Sequence, residues 1–340
     1  MTRVTKMINK KISASGIRSL IKCVAFLLLF ATVLCVLSWM MKPKGDGPYS
    51  GMDNHMAHGF YGEPENSLDV VGMGNSNMAC GFSPLDLWKK YGYTGYNSGE
   101  AGANIFQTYD LLTELLARQK PEVILLDADG LFPTGGQMDT FGRFVHWNLA
   151  RYFPLIEYHN LWRVQNPKDL LESPQYDWTS LTKGYSVTGA SIPFLMGNKH
   201  PHTDIEDRIT FEGRFQANAF ADLCKRKNVK LVLLYLPTGL SWNINRHDAV
   251  NAFAASKKLP FIDMNTDLNG IRLDWGVDTR DGGVHLNYYG AQKVTKFLGS
   301  YLQNQGYLPA HQTKAVFQRW QKSYSAYQEV IRAYKEAPKG

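Results

Sequence analysis

A serine and a histidine that lie far apart in the chain, each beside residues able to activate it, are the first indication of chemistry. Ser76 ends the apolar, β-branched run Leu-Asp-Val-Val-Gly-Met-Gly-Asn-Ser at 68–76, a pattern typical of a buried strand that delivers a nucleophile to a tight turn. His285 follows Asp281 by four residues and Asp278 by seven. A serine, a base and a carboxylate are the parts of a nucleophilic acyl-transfer site.

Two further segments place polar groups after predicted strands. The sequence Asn-Ser-Gly-Glu-Ala-Gly at 97–102 supplies glycines whose backbone N–H groups can act as donors, and Asp127 and Asp129 follow another apolar run. Each of these residues alone is more typical of a turn or a helix cap. Because the carboxyl ends of parallel strands meet at one edge of a sheet, the segments together predict a site.

The elements that must position these residues alternate between strands and helices. The runs at 122–127 and 230–236 are continuously apolar, which is typical of strands buried on both faces. Helices are predicted between the strands at 83–91, 104–119, 210–227, 245–257 and 289–305. This alternation predicts an α/β domain over 68–306, with a doubly wound, flavodoxin-like parallel sheet covered by helices on both faces.

Residues 131–210 interrupt this alternation. The segment is rich in Trp and Tyr among polar and turn residues, so we expect either a lid with its own small core, which is favoured, or a saccharide-binding surface. The tail at 307–340 carries apolar residues at three- and four-residue steps. Such an amphipathic helix is expected to dock on its own domain, with a partner protein or a membrane surface as the alternative.

The N-terminus predicts a membrane anchor. Residues 1–22 carry six basic and no acidic residues, and residues 23–41 form an apolar stretch without a charge, just long enough to cross a bilayer. The basic side is expected to stay in the cytoplasm, which places the rest of the chain outside. A cleavable signal peptide is the alternative, although no small-residue cleavage site follows. Residues 42–67 are expected to be a linker that packs onto the domain.

Composition excludes several classes of protein. The net charge of +7 derives from the N-terminal segment, since the remaining basic and acidic residues nearly balance, and we therefore expect no nucleic-acid partner. No Walker or Rossmann glycine motif is present, and the cysteines show no metal-ligand spacing. His200 and His202 have a spacing that could suit a metal but lack a third clustered ligand, so neither a cofactor nor a metal is predicted. Cys80 and Cys224 could form one disulfide at most, and buried free thiols are favoured.

Three blocks of this sequence resemble those of the SGNH/GDSL hydrolase superfamily. Gly-Asn-Ser-Asn at 74–77 is similar to the block that carries the nucleophile, and 97–102 to the second block. The third similarity is Asp-Gly-Gly-Val-His-Leu-Asn at 281–287, which resembles the block that supplies the catalytic Asp and His. The resemblance implies that Ser76, His285 and Asp281 form a triad and that the Gly102 backbone N–H contributes to an oxyanion hole.

The chain departs from the family pattern at three positions. Asn75 replaces an Asp, and Asp281 stands four residues before His285 instead of three, so that either the loop bulges or Asp278 takes the role. Asp129 occupies the position of a family Asn that donates to the oxyanion, and an ionised carboxylate cannot donate. Backbone N–H groups of Ser76 and Gly102, helped by Asn104, are then expected to form the oxyanion hole.

The resemblance implies a membrane-anchored, single-pass enzyme of the bacterial plasma membrane with its main domain outside. Its expected reaction is that of a serine esterase or O-acyltransferase on acyl esters, with acetyl esters preferred, of a cell-wall or surface polysaccharide. A membrane-bound acyltransferase is the expected protein partner. The alternative is a non-catalytic accessory protein of the same fold that binds a glycan or that acyltransferase.

Overall fold

A five-stranded parallel sheet forms the centre of the molecule. The computed structural model describes residues 14–132, 135–163, 165–195, 207–266 and 268–336. The strands are β1 (Val70–Gly74), β2 (Gly95–Gly99), β3 (Val123–Asp127), β4 (Lys230–Tyr235) and β5 (Phe261–Asp263). Their order, β2-β1-β3-β4-β5, confirms the predicted doubly wound, flavodoxin-like sheet.

The helices follow the predicted alternation, with shorter ones between. They are α1 (Ala14–Met41), α2 (His55–His58), α3 (Ser76–Gly81), α4 (Pro84–Tyr91), α5 (Ile105–Arg118), α6 (Gln137–Ala150), α7 (Leu155–Tyr158), α8 (Phe211–Arg226), α9 (Ile244–Lys257), α10 (Leu268–Ile271), α11 (Tyr288–Asn304) and α12 (Lys314–Glu336).

Helices cover both faces of the sheet. Because successive side chains of a strand point in opposite directions, each strand contributes side chains to two cores. In β3, Val123 and Leu125 pack in the core with Val294 and Leu298 of α11. Their neighbours Ile124 and Leu126 belong to the other core, which α5, α8 and α9 cover. This explains why β3 and β4 are continuously apolar in sequence.

The predicted anchor is one long helix. Residues Ser15–Met41 of α1 have a mean hydropathy of 2.8 over their most apolar window and are long enough to cross a membrane. Part of the basic segment predicted to be cytoplasmic, residues 1–13, lies outside the described residues.

The predicted linker at 42–67 packs against the domain. The Tyr96 hydroxyl donates to the Met56 carbonyl (2.9 Å), and Gly62 N–H donates to the Trp178 carbonyl (3.1 Å). A buried ion pair between Glu63 and Lys183 (2.6 Å) also joins this segment to the aromatic-rich segment at 131–210, here called the insertion. Ion pairs inside a protein require such close geometry to offset their lost hydration.

Three aromatic residues of the insertion pack against the rest of the domain. Trp178 contacts His55 edge-on with ring centroids 5.1 Å apart, Tyr176 lies 4.9 Å from Tyr61, and Tyr185 is buried. The tail helix α12 docks on α4, where Trp320 is fully buried. Cys80 and Cys224 are buried free thiols.

Candidate active site

Ser76 stands at the turn between the central strand β1 and the short helix α3. Gly74 ends β1 with φ +145°, and a Cβ there would lie 2.8 Å from the Cβ of Asp127. Asn75 caps α3, because its side-chain oxygen accepts the backbone N–H of Asn77 (2.9 Å). The chain can therefore turn sharply at Gly74 and present the Ser76 hydroxyl at the carboxyl edge of the sheet.

His285 lies within hydrogen-bond distance of both predicted partners. Its Nε2 is 2.8 Å from Ser76 Oγ, and its Nδ1 is 2.6 Å from Asp281 Oδ2. The other carboxylate oxygen of Asp281 accepts the His285 backbone N–H (2.8 Å). The structure thus brings together the serine, base and carboxylate at the distances that a nucleophilic relay requires.

The unusual Asp-to-His spacing is accommodated by a bulged loop. Gly282 and Gly283 both have positive φ, +75° and +98°, and Gly283 N–H donates to Thr279 Oγ1 (2.7 Å). Two consecutive residues with positive φ fold the loop back on itself. The extra residue between Asp281 and His285 is thereby taken up, and the two side chains still meet.

The alternate acid, Asp278, is placed elsewhere. It is buried, its Oδ2 pairs with Lys293 Nζ (2.5 Å), and the same oxygen accepts the Asp274 backbone N–H (2.6 Å). Asp278 therefore lies in the loop before α11 and forms a structural ion pair with Lys293 of that helix, and the loop geometry selects Asp281 as the partner of His285.

Asp281 is held in its ionised form. Partial burial acts to raise the pKa of this carboxyl, but hydrogen bonds from the His285 ring and backbone and the charges of His285 and Arg280 lower the pKa below its ordinary value. Arg280 Nε lies 3.5 Å from Asp281 Oδ2. An ionised Asp281 stabilises the imidazolium that forms when His285 takes a proton.

The glycine-rich loop lies against the nucleophile turn. Gly74 pairs with Gly99, Glu100 N–H donates to the Gly74 carbonyl (3.0 Å), and the Asn97 amide donates to the Met78 carbonyl of α3 (2.8 Å). The approach is so close that a Cβ on Gly99 would lie 2.3 Å from the Ala79 nitrogen. These contacts fix the loop beside Ser76.

Two of the predicted oxyanion residues lie on this loop. Gly102 is exposed with φ +72°, and no described atom lies within 4 Å of the position where a Cβ would stand. Asn104 is buried and caps α5, where its Oδ1 accepts the backbone N–H groups of Phe106 (3.0 Å) and Gln107 (3.4 Å). Within the described part of the chain its amide nitrogen has no hydrogen-bond partner.

Asp129 acts as a hydrogen-bond acceptor between Asn75, Tyr235 and Arg246. Its Oδ2 accepts the Asn75 amide (2.6 Å), and its Oδ1 accepts the Tyr235 hydroxyl (2.8 Å) and Arg246 Nη1 (3.0 Å). This acceptor position was not predicted from the sequence. A signal was present in the resemblance described above, which has Asp at the position of Asn75 and Asn at the position of Asp129, and these two side chains bond each other in this structure.

A second carboxyl lies beneath the nucleophile turn. Asp127 is fully buried, and burial together with the nearby Asp129 charge raises its pKa well above the ordinary range. The backbone N–H of Leu236 donates to it (3.4 Å). Across the described residues, no group of three or more His, Cys, Asp or Glu side chains could hold a metal ion.

Comparison with known proteins reveals distant structural likenesses. No protein-family model and no curated protein matches the chain. One similar solved structure is a GDSL-like lipase from Bacteroides thetaiotaomicron, with 15% identity and a TM-score of 0.36 over 70% of this chain and 89% of that one. Another is a variant of an acetyl-xylooligosaccharide esterase from Geobacillus stearmophilus, with 12% identity and a TM-score of 0.37 over 71% of this chain and 95% of that one.

Proposed function

We propose that this chain is a serine esterase or O-acyltransferase of the SGNH/GDSL type that acts through Ser76, His285 and Asp281. One observation carries the proposal: His285 Nε2 lies 2.8 Å from Ser76 Oγ while its Nδ1 lies 2.6 Å from Asp281 Oδ2. A histidine held between a serine and a carboxylate is arranged to take the serine proton.

The reaction proceeds through an acyl-enzyme. Ser76 Oγ attacks the ester carbonyl as His285 Nε2 takes its proton, and the imidazolium then returns that proton to the leaving alkoxide, so that an alcohol departs. In the second half His285 removes a proton from water or from a sugar hydroxyl, whose oxygen attacks the acyl carbon. The bond between the acyl carbon and Ser76 Oγ then breaks, and the imidazolium returns its proton to that oxygen. Water gives hydrolysis, and the sugar hydroxyl gives transfer.

The developing oxyanion needs donors that Asp129 does not supply. The available groups are the backbone N–H groups of Ser76 and Gly102 and the amide nitrogen of Asn104, which has no partner among the described residues. Loss of one such donor typically lowers the rate about 100- to 1000-fold. The proposal assigns to Asn104 the side-chain donor role that the asparagine has in the family that the sequence resembles.

The resemblance and the length of α1 support the proposed substrate and location. We propose that α1 stays uncleaved with its basic end inside, so that the domain lies on the outer side of the bacterial plasma membrane, where cell-wall and surface polysaccharides are available for acylation. We propose acyl esters, with acetyl preferred, of such a polysaccharide as the substrate. A membrane-bound acyltransferase would supply or share the acyl group.

The proposal is tested with a serine-reactive fluorophosphonate probe on the full-length, detergent-solubilised protein. Wild type is expected to be labelled covalently, Ser76→Ala is expected to be unlabelled, and the control Ser325→Ala, an exposed serine on α12, is expected to label like wild type. Labelling of Ser76→Ala at the wild-type level would show that another residue reacts.

The alternative is a non-catalytic accessory protein that binds a glycan or an acyltransferase. The observation in its favour is Asp129, which accepts three hydrogen bonds where the family has a donor. This alternative predicts a wild-type protein that remains unlabelled by the probe although it is folded.

A further inference from the structure

The last two turns of α1 are partly covered by the protein. Leu34 is half-buried, and Ser38 and Met41 are buried, at the i, i+4, i+7 spacing of one helix face. Their neighbours Val36 and Trp39 in the same turns are 51% and 43% exposed. From Leu34 to Met41 the helix rises about 10 Å.

The insertion provides this cover. Met41 packs with Leu161 and Leu170, and Leu155 and Tyr158 of α7 pack around the same cluster. These contacts hold the end of α1 against the segment between α6 and residue 171.

The chain leaving α1 is also held in place by hydrogen bonds. The Tyr176 hydroxyl donates to the Pro43 carbonyl (2.8 Å), and Gln175 N–H donates to the Lys44 carbonyl (2.9 Å). Asp46 Oδ1 accepts the backbone N–H groups of Asp177 and Trp178, both at 3.1 Å. The domain is therefore fixed to α1 and is not suspended on a flexible tether.

The charge-free part of α1 is only about as long as the hydrocarbon core is thick, so the domain attached to its end must lie close to the bilayer. The charge-free stretch from Cys23 to Met41 rises about 28 Å, and a hydrocarbon core is about 30 Å thick. If the covered turns lay outside the lipid, only about 18 Å of this stretch would remain to cross it. The helix continues to Ser15, but moving the covered turns out of the lipid would draw Lys22 and then Arg18 into the hydrocarbon core, where a charged side chain is costly. The covered turns are therefore expected at the outer end of the membrane span, with the insertion residues around them at the membrane surface.

The exposed side chains beside this cover suit a lipid interface. Tyr152, Trp162 and Leu171 are 71%, 55% and 64% exposed, and each is a close sequence neighbour of a residue that packs on α1. The Arg163 guanidinium lies 5.3 Å from the Trp162 ring centroid. Trp, Tyr and long cationic side chains are the residues that concentrate at membrane interfaces.

We propose that Tyr152, Trp162 and Leu171, here called the anchor face, insert into the outer interfacial region of the bilayer that α1 crosses. The inference rests on the proposed membrane anchor and goes beyond it, because it gives the domain one fixed orientation relative to the bilayer. Ser76 then works at a set height above the membrane, and its substrate must be presented within reach of that surface.

The test uses spin labels on the full-length chain in phosphatidylcholine nanodiscs. Single cysteines are introduced as Tyr152→Cys, Trp162→Cys and Leu171→Cys in a Cys23→Ala/Cys35→Ala background, since Cys80 and Cys224 are buried. The aqueous control is Leu308→Cys, which is 73% exposed near the amino edge of the sheet, where Ala310 N–H bonds Asp69. A Cys23→Ala protein labelled at the native Cys35 reports on α1 itself.

Collision with oxygen and with a water-soluble nickel chelate is then compared at each label. We expect the oxygen-to-nickel ratio on the anchor face to exceed that of Leu308→Cys severalfold and to fall below that of Cys35. A ratio equal to that of Leu308→Cys, with Cys35 in lipid, overturns the anchor face and leaves that surface open to a protein partner. An aqueous Cys35 overturns the membrane anchor as well, so the two failures are distinguishable.

Discussion

Asp281 holds His285 by two contacts with different effects. The Oδ2 bond to ring Nδ1 fixes the tautomer that leaves Nε2 facing Ser76, and the Oδ1 bond to the backbone N–H fixes the loop that carries the ring. Asp278, the competing carboxylate in the sequence, pairs with Lys293 instead. The two acids therefore differ in what their removal should do.

Asp281→Asn is expected to lower kcat about 10⁴-fold, because an amide favours the wrong ring tautomer and does not stabilise the imidazolium. Asp278→Asn is expected to keep kcat near wild type while lowering the melting temperature, because it leaves Lys293 without a buried charge partner. The measurement is ester hydrolysis together with thermal unfolding for both variants. A reversed pattern would assign the catalytic carboxylate to Asp278.

The Asn75 amide and the Asp129 carboxylate form a hydrogen-bonded pair next to Ser76. Asn75→Asp is expected to lower both stability and kcat, because two carboxylates then face each other where the amide now donates over 2.6 Å. Asp129→Asn keeps an oxygen that can accept from Tyr235 and Arg246, but it removes the negative charge beside Arg246 and places a second NH2 group against the Asn75 amide, so it is expected to be destabilising as well.

The double variant Asn75→Asp/Asp129→Asn restores one donor and one acceptor and is expected to recover part of both losses. A coupling energy of about 0.5–3 kcal/mol is typical for residues in one network. Strictly additive losses in a double-mutant cycle of unfolding free energies and kcat would show that the pair does not position Ser76.

At the scale of elements, the loop between β5 and α11 determines the geometry of the triad. Gly282 and Gly283 both have positive φ, but their surroundings differ. A Cβ on Gly282 would meet nothing within 4 Å, whereas one on Gly283 would lie 2.6 Å from the buried Phe194 ring. An alanine at Gly282 therefore tests backbone strain alone, whereas an alanine at Gly283 adds a steric clash with Phe194.

Gly282→Ala is expected to cost about 1–2 kcal/mol of unfolding free energy, the ordinary penalty of a left-handed non-glycine residue. Gly283→Ala is expected to cost more and to lower kcat further, because Phe194 must move and shift the loop that carries Asp281 and His285. Urea unfolding and initial rates measure both effects. Equal losses for the two variants would contradict the role assigned to Phe194.

Local signals explain which elements the sequence predicts well. Helix α4 begins and ends as expected because Ser83 accepts the Asp86 N–H and Gly92 adopts φ +85°. The acceptor role of Asp129 was not predictable in this way, since Tyr235 and Arg246 lie 106 and 117 residues further along. The packing of α1 on the insertion also depends on contacts between distant segments, which no sequence period reveals.

At the scale of the whole molecule, the segment after α1, helix α5 and the insertion enclose an acidic cavity of about 350 Å³. Burial raises the pKa of three of its carboxyls, to about 8 for Glu157, about 7 for Glu100 and about 6 for Asp110. Repulsion from neighbouring carboxylates also raises the pKa of each of these three groups. The cavity lies between three parts of the chain. Ionisation of its carboxyls is therefore expected to affect the stability of the whole domain.

Stability is expected to fall as pH rises from about 4.5 to about 8. A carboxyl whose pKa is raised on folding binds its proton more tightly in the folded state than in the unfolded state. Its contribution to the free energy of unfolding is therefore largest below the unfolded pKa and is lost as the pH rises to the folded pKa. Glu157, with its pKa of about 8, should dominate the upper part of this range. The melting temperature of the full-length protein is measured at pH 6 and pH 8.5 for wild type and Glu157→Gln, which cannot ionise. The drop between the two pH values should be smaller in Glu157→Gln than in wild type, and an equal drop would show that Glu157 is already ionised in the folded protein at pH 6.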